Sequence, residues 1–246
     1  EASLDRPEII VIGDSHAMGW GVGHEATFAQ LVEEETGRRV LNAAVSSYGT
    51  VRELAILAEV DAGALRTLVI QYCDNDYREN QTFRDEGALS IMPEARYRRI
   101  VERRSKAARY YFGKHLVGIT RRATGLRKAS AKPSRAATSP DAGARPPDEA
   151  ECFLHALAHA PVDLGGVRIL VFEIDGYGVA DGGLITGLRA YPADGPYAEI
   201  ARELVTIDLS AALGPGDFFV LDDHMTARGH RVVADKLVER LRRLSR

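Results

Sequence analysis

At 246 residues, with 45% hydrophobic and 27% charged positions, the chain is long enough to bury one sizeable core and too apolar for a disordered polymer. No run of about 18 apolar residues occurs, which excludes a membrane-spanning helix within this sequence. The formal charge of −3 and the lack of any nucleic-acid motif argue against nucleic-acid binding.

In chain order, residues 8–12 (EIIVI) form a short apolar, β-rich run that stops at Gly13-Asp14-Ser15 and reads as a buried strand of a parallel sheet. Residues 26–36 carry Phe28, Leu31 and Val32 at helical spacing, with Gly37 as the C-cap. A second strand is predicted at 39–42, a helix at 51–61 and a third strand at 67–72 (TLVIQY). This alternation predicts right-handed βαβ units and a parallel sheet covered on both faces. The rhythm then breaks until a strand at 167–174. Within that interval, 94–119 has an amphipathic helical pattern through Tyr97, Ile100, Val101, Arg104, Ala108, Tyr111 and Phe112. Residues 128–147, rich in Ala, Ser, Pro and basic residues, read as a flexible loop. Pro146-Pro147-Asp148-Glu149 then starts a helix ending near Ala160. A strand at 203–209, a short apolar run at 218–221 (FFVL) and a closing helix at about 227–244 complete the chain. The whole reads as a single domain, 1–246, with an insertion at 77–150.

Four groups suited to chemistry follow strand ends or the last loop. Gly13-Asp14-Ser15-His16 comes directly after the first strand, where open parallel sheets bind their ligands. A serine hydroxyl there becomes a nucleophile once a base takes its proton. The plainer reading is that Asp14 or Ser15 caps a helix. His224, just before the last helix, is the candidate base, with Asp222 and Asp223 close enough in sequence to hold its ring. The plainer reading there is a capped helix start with a solvated acidic pair. Asn75, after the third strand, has an amide that can donate to an oxyanion. The small-residue loop 42–50 (NAAVSSYGT), after the second strand, lets a backbone N–H approach a substrate. Ordinary turn chemistry accounts for both in the plain case. A phosphate site at Gly13-Asp14-Ser15 has no GxxxxGK[ST] or GxGxxG pattern behind it.

Taken together and in order, these segments resemble the SGNH hydrolase (GDSL-like lipase/esterase) superfamily. GDS at 13–15 looks like its first block, and the run GDSHAMGWGVGHEATFAQLVEEETG is similar to its opening. NAAVSSYGT resembles the second block, with Ser47 where glycine is usual. CDND at 73–76 resembles the third and DDHMTARGH the last. The resemblance covers about 1–80 and 165–246 and leaves 81–150 without a counterpart. It implies a three-layer α/β/α sandwich with a parallel, flavodoxin-like sheet. It implies Ser15 as nucleophile, His224 rather than His230 as base, and an oxyanion hole from the N–H groups of Ser15 and Ser47 and the amide of Asn75. Many members place the acid three residues before the histidine, where this chain has Leu221. Asp222 takes that role here, with Asp223 open. No metal or organic cofactor is required.

The expected activity is hydrolysis of a carboxylic ester, a small acyl group on a saccharide or lipid, through an acyl-serine intermediate. An O-acyltransferase acting on a sugar hydroxyl would use the same groups, and a catalytically decayed SGNH-like binding module would keep the blocks alone. Charge is uneven: between Arg96 and Arg145 there are 15 Lys plus Arg against Glu102 and Asp141. That insertion is a candidate docking surface for an anionic membrane or acidic polymer, beside the plainer reading of a solvated helix and loop. Cys73 and Cys152 are too few for a disulfide framework and read as small buried side chains. The first residue is Glu1, compatible with an upstream signal peptide or anchor and an extracytoplasmic or membrane-associated setting.

Overall fold

The computed structural model describes residues 5–88, 93–108, 148–175 and 183–244. The chain divides into two units, Glu1–Ser90 with Ala144–Arg246, and Ile91–Gly143.

The first unit is built on a five-stranded sheet. Its strands are β1 (Ile9–Ile12), β2 (Val40–Asn42), β3 (Thr67–Tyr72), β4 (Arg168–Glu173) and β5 (Val205–Ile207). They run parallel in the order β2-β1-β3-β4-β5. The continuous apolar runs of β1 and β3 suit this arrangement, because a parallel sheet is covered on both faces. Every residue of these two strands is buried.

Side chains alternate between two cores, as the period of two in a strand requires. Ile9 and Val11 join one core with α2 (Phe28–Thr36) and α9 (Ala227–Leu244), which pack on each other. Ile10, Ile12, Leu68, Ile70 and Tyr72 join the other with α3 (Thr50–Ile56), α6 (Asp148–Ala158) and α7 (Gly183–Arg189). Each such side chain contributes about 1.5–3 kcal/mol when fully buried. The short helices α1 (Ser15–Met18) and α8 (Ala198–Glu203), and the longer α4 (Asp74–Glu86), complete this unit among the described residues. This is the three-layer α/β/α architecture with a flavodoxin-like strand order. In the second unit, α5 covers Glu94–Ala108. The rest of the predicted 94–119 helix and the predicted loop 128–147 lie outside the described residues. Among the described residues, no helix is long and apolar enough to cross a membrane.

Some elements differ from expectation. The helix predicted at 51–61 stops at Ile56, and the strand at 203–209 is confined to Val205–Ile207. Within the apolar run 218–221, Phe218 forms an isolated bridge to Met225, while Val220 and Leu221 face solvent. Helix α4 has no apolar period to announce it. It presents only Tyr77 and Phe83 to the core, and is instead fixed at its ends by Asp76 and by Gly87 at φ 65°. Cys73 and Cys152 are buried and not joined by a disulfide.

A layer of buried polar groups joins α3 to α4. Thr50 Oγ1 donates to Asp76 Oδ1 at 2.8 Å, and Asn80 Nδ2 donates to Thr50 Oγ1 at 3.2 Å. One turn further along α3, Glu53 is fully buried, and neither of its carboxyl oxygens has a hydrogen-bond partner among the described residues. Burial, followed by the charge of Asp76, pushes Glu53 well above the ordinary carboxylate range. Burial also pushes Asp76 well up, against donors from the Cys73 and Thr50 backbone and the Thr50 hydroxyl, whereas Glu53 has no donor among the described residues to favour its charged form.

This gives a stability that falls with pH. Below the unfolded carboxyl pKa of about 4.3, both states hold the Glu53 proton and its contribution is complete. Above it the unfolded chain releases the proton first, so stability is lost as pH rises toward the folded pKa. Glu53→Gln keeps the neutral shape. The variant is expected to match the wild type near pH 4 and to exceed it by at least about 1 kcal/mol at pH 8, since one pKa unit is worth about 1.4 kcal/mol. Urea denaturation at the two pH values checks this, and parallel wild-type and variant profiles would contradict it.

Candidate active site

Strand order reverses direction at β1, so the crevice beyond the carboxyl ends of β1 and β3 is the natural ligand site of this sheet. Gly13 leaves β1 there at φ 154°, and a Cβ on it would lie 2.7 Å from Ala17 Cβ and 2.8 Å from Gln71 Oε1. Only glycine lets the turn approach β3 so closely. Gln71, buried on β3, accepts from Asp14 N at 3.1 Å and Ala17 N at 3.3 Å. Asp14 caps α1 through His16 N at 2.9 Å. Clamped from both sides, the turn presents a half-buried Ser15.

His224 reaches this serine from the far end of the chain. Phe219 N donates to His224 O at 3.0 Å, Phe218 bridges to Met225, and Thr226 N donates to Asp217 O at 2.8 Å, closing a hairpin just before α9. His224 Nε2 lies 2.8 Å from Ser15 Oγ. His224 Nδ1 is bonded to Asp222 Oδ1, and Asp223 Oδ1 stands farther off, at 3.3 Å. A carboxylate only accepts, so the proton sits on Nδ1 and Nε2 is left as acceptor for the serine hydroxyl. The His224 hydrogen bond holds the half-exposed Asp222 carboxyl below its usual range. Of the two acids left open in the sequence, Asp222 makes the tighter contact.

The remaining expected groups follow the carboxyl ends of the neighbouring strands β2 and β3. Asn75, exposed at the start of α4, donates one N–H of its amide to Tyr48 O at 3.1 Å. A primary amide carries a second N–H. That bond ties Asn75 to the loop holding Ser47, whose φ is 66°. Glycine adopts this left-handed conformation without strain, whereas a serine incurs about 1–2 kcal/mol. The Ser47 carbonyl accepts from Arg52 Nη2 at 3.2 Å, and the Arg52 guanidinium lies 4.8 Å from the centre of the Tyr48 ring.

His230 lies apart from this group. It is buried, accepts from Phe28 N at 3.3 Å and stacks on Phe28 with ring centres 5.7 Å apart. Burial pushes its pKa down to about 4, so it packs as a neutral ring.

Several residues of the site were not singled out by sequence reading. Gln71 is one, and its signal was a lone amide in an otherwise apolar strand. His16 is another: it is buried, with its ring centre 5.0 Å from that of His224, and burial lowers its pKa. Trp20, half exposed, lies with its ring centre 6.0 Å from that of His224. Neither carries a signal in sequence that says what it faces.

Among the described residues, two groups bring three metal-capable atoms together: Cys73 with Asp74 and Asp175, and Asp222 with Asp223 and His224. Burial holds the Cys73 thiol far above its ordinary value, which keeps it in the non-ligating form. In the second group, His224 Nδ1 and Asp222 are engaged with each other.

No protein-family model matches the chain, and no curated protein matches it in sequence. Solved structures do. A protein assigned to the acylhydrolases, from Bacteroides fragilis NCTC 9343, aligns over 100% of this chain and 93% of its own at a TM-score of 0.51 and 12% identity. The chain has that protein's fold. A member of the lipolytic G-D-S-L family from Veillonella parvula DSM 2008 aligns over 94% of this chain and 96% of its own, at a TM-score of 0.47 and 13% identity. The acetyl xylan esterase Est2A from the rumen bacterium Butyrivibrio proteoclasticus aligns over 96% of this chain at a TM-score of 0.49 and 13% identity, and this chain spans 63% of its length.

The left-handed Ser47 yields a simple test. Ser47→Gly relieves the strain and keeps the backbone N–H, with part of the gain offset by a more flexible unfolded chain. We expect a stability gain of up to about 1 kcal/mol, seen as a higher midpoint in thermal denaturation. A lower midpoint would mean that the serine side chain stabilises the loop.

Proposed function

We propose that the chain is a serine esterase in which Ser15 is the nucleophile, His224 the general base and Asp222 the group that orients it. The observation that carries this reading is the 2.8 Å contact between Ser15 Oγ and His224 Nε2, with Nδ1 of the same ring held by a carboxylate. A serine is activated by an imidazole whose other nitrogen is fixed in this way.

In the proposed reaction, Ser15 Oγ attacks the ester carbonyl as its proton passes to His224 Nε2. The backbone N–H groups of Ser15 and Ser47 and the amide of Asn75 hold the negative oxygen, each such donor lowering the barrier by about 3 kcal/mol. His224 then gives its proton to the leaving alcohol, and the acyl group stays on Ser15. Water attacks the acyl-serine with His224 again as base, releasing the acid and restoring the hydroxyl. The proposed substrate is a carboxylic ester with a small acyl group on a saccharide or lipid. The fold shared with a protein assigned to the acylhydrolases is consistent with ester chemistry. Transfer of the acyl group to a sugar hydroxyl would use the same groups, and product analysis with an added acceptor separates the two outcomes.

Wild-type protein is expected to take up a fluorophosphonate label and Ser15→Ala is not, with kcat/KM on a soluble ester falling at least about 10³-fold. Asn75→Ala is expected to cost about 10²–10³-fold. Asp222→Asn should cost about 10²–10⁴-fold while Asp223→Asn costs less than about tenfold, because only the first holds Nδ1 closely. Retention of full activity by Ser15→Ala would overturn the proposal.

A further inference from the structure

Among the described residues of the first unit, the exposed large apolar side chains are Trp20, Val220 and Leu221, at 52%, 93% and 94% exposure. All three belong to the two segments that flank the Ser15–His224 pair. Trp20 N donates to Ser15 O at 3.1 Å, and its ring borders His224. Val220 and Leu221 form the tip of the hairpin that ends in His224. The two segments touch: a Cβ on Gly21 would lie 2.8 Å from Phe219 Cε2, so the Phe219 ring covers the Gly21 backbone.

We infer that Trp20, Val220 and Leu221 form an apolar prow that inserts into the surface of an uncharged or zwitterionic lipid aggregate beside the reactive serine. The first reason is shape. Val220 and Leu221, more than nine-tenths exposed, have no walls around them among the described residues, so they do not line a pocket for a small ligand. An extended, deformable apolar phase buries them without a complementary cavity. The second reason is place. A protein partner seated on this tip would crowd the cleft at Ser15, whereas a lipid surface leaves the ester end of its own molecules beside it. The third is charge. Neither His16–Gly23 nor Phe218–Thr226 contains a lysine or arginine, and Asp222 and Asp223 stand next to the tip. An anionic headgroup therefore finds no lysine or arginine within these two segments, and Arg228, just beyond them, is paired with Asp217. Trp20 is suited to such a boundary, with an apolar ring and a polar N–H.

This inference rests on the esterase reading only for what the surface delivers; docking itself is measured without turnover. Trp20 is the one tryptophan of the chain, so its emission reports on this patch alone. Ser15→Ala protein is mixed with phosphatidylcholine vesicles. Emission is expected to move to shorter wavelength, to be quenched by brominated acyl chains, and to track co-sedimentation. In the same background, Val220→Ser with Leu221→Ser should weaken partitioning at least about tenfold. Both substitutions lie in solvent, so a thermal midpoint like that of Ser15→Ala alone is the folding control. The inference is overturned if emission is unchanged by these vesicles, if the change requires anionic lipid, or if the double substitution leaves partitioning intact. Short-wavelength emission shielded from iodide before lipid is added would also overturn it, because the chain itself would then cover the patch. Fluorophosphonate labelling of the wild type reports separately on the esterase reading.

Discussion

Ser15 and His224 are 209 positions apart in the chain and 2.8 Å apart in space. Much of the first unit serves that contact. Ser15 is delivered by a turn that needs a glycine at position 13 and a glutamine on the neighbouring strand. His224 is delivered by a hairpin anchored on a fully buried Met225 and continued by α9, which packs across α2. A small rotation of α9 against the sheet would part the two side chains, so the apolar core between them sets the reach of the imidazole as much as any local bond.

Beneath the crevice the interior is unusually polar. Asp14, His16, Thr50, Glu53, Gln71, Asp76 and Asn80 are all buried. Burying such groups is costly unless they are hydrogen-bonded. Three of them, Asp14, Gln71 and Asp76, accept from backbone N–H groups at the loop starts, which fixes those loops against the sheet. Cys73 N, for example, donates to Asp76 Oδ2 at 2.7 Å directly beside Asn75. In the proposed mechanism, loops held in this way keep the oxyanion donors in place before substrate arrives. Both carboxyl oxygens of Glu53 lack a partner among the described residues, as does Nδ1 of His16.

The sheet was legible because parallel strands buried on both faces have continuous apolar runs, as in β1 and β3, separated by helices. Helix α4 was not, since Asp74–Glu86 is nearly all polar and is held at its caps. The approach of His224 to Ser15 was legible only through the resemblance of separated blocks, because nothing local in DDHMTARGH says what the imidazole will meet. The choice between Asp222 and Asp223 depends on hairpin geometry that sequence spacing does not encode. Gln71 was visible as an oddity without a role. The exposure of Val220 and Leu221 ran against the ordinary expectation that a run such as FFVL is buried.

His224 and the carboxylate on its Nδ1 are two residues apart on one hairpin, whereas the serine comes from another part of the sheet. The proposed base and its orienting acid therefore travel together. A local opening of residues 218–226 would lift both away from Ser15 while the strands stay paired, since such openings require less free energy than global unfolding. On warming, such a molecule loses its hydroxyl–imidazole contact before its sheet. Thermal change then begins as a reversible event in one short loop, with the cores beneath it still dry.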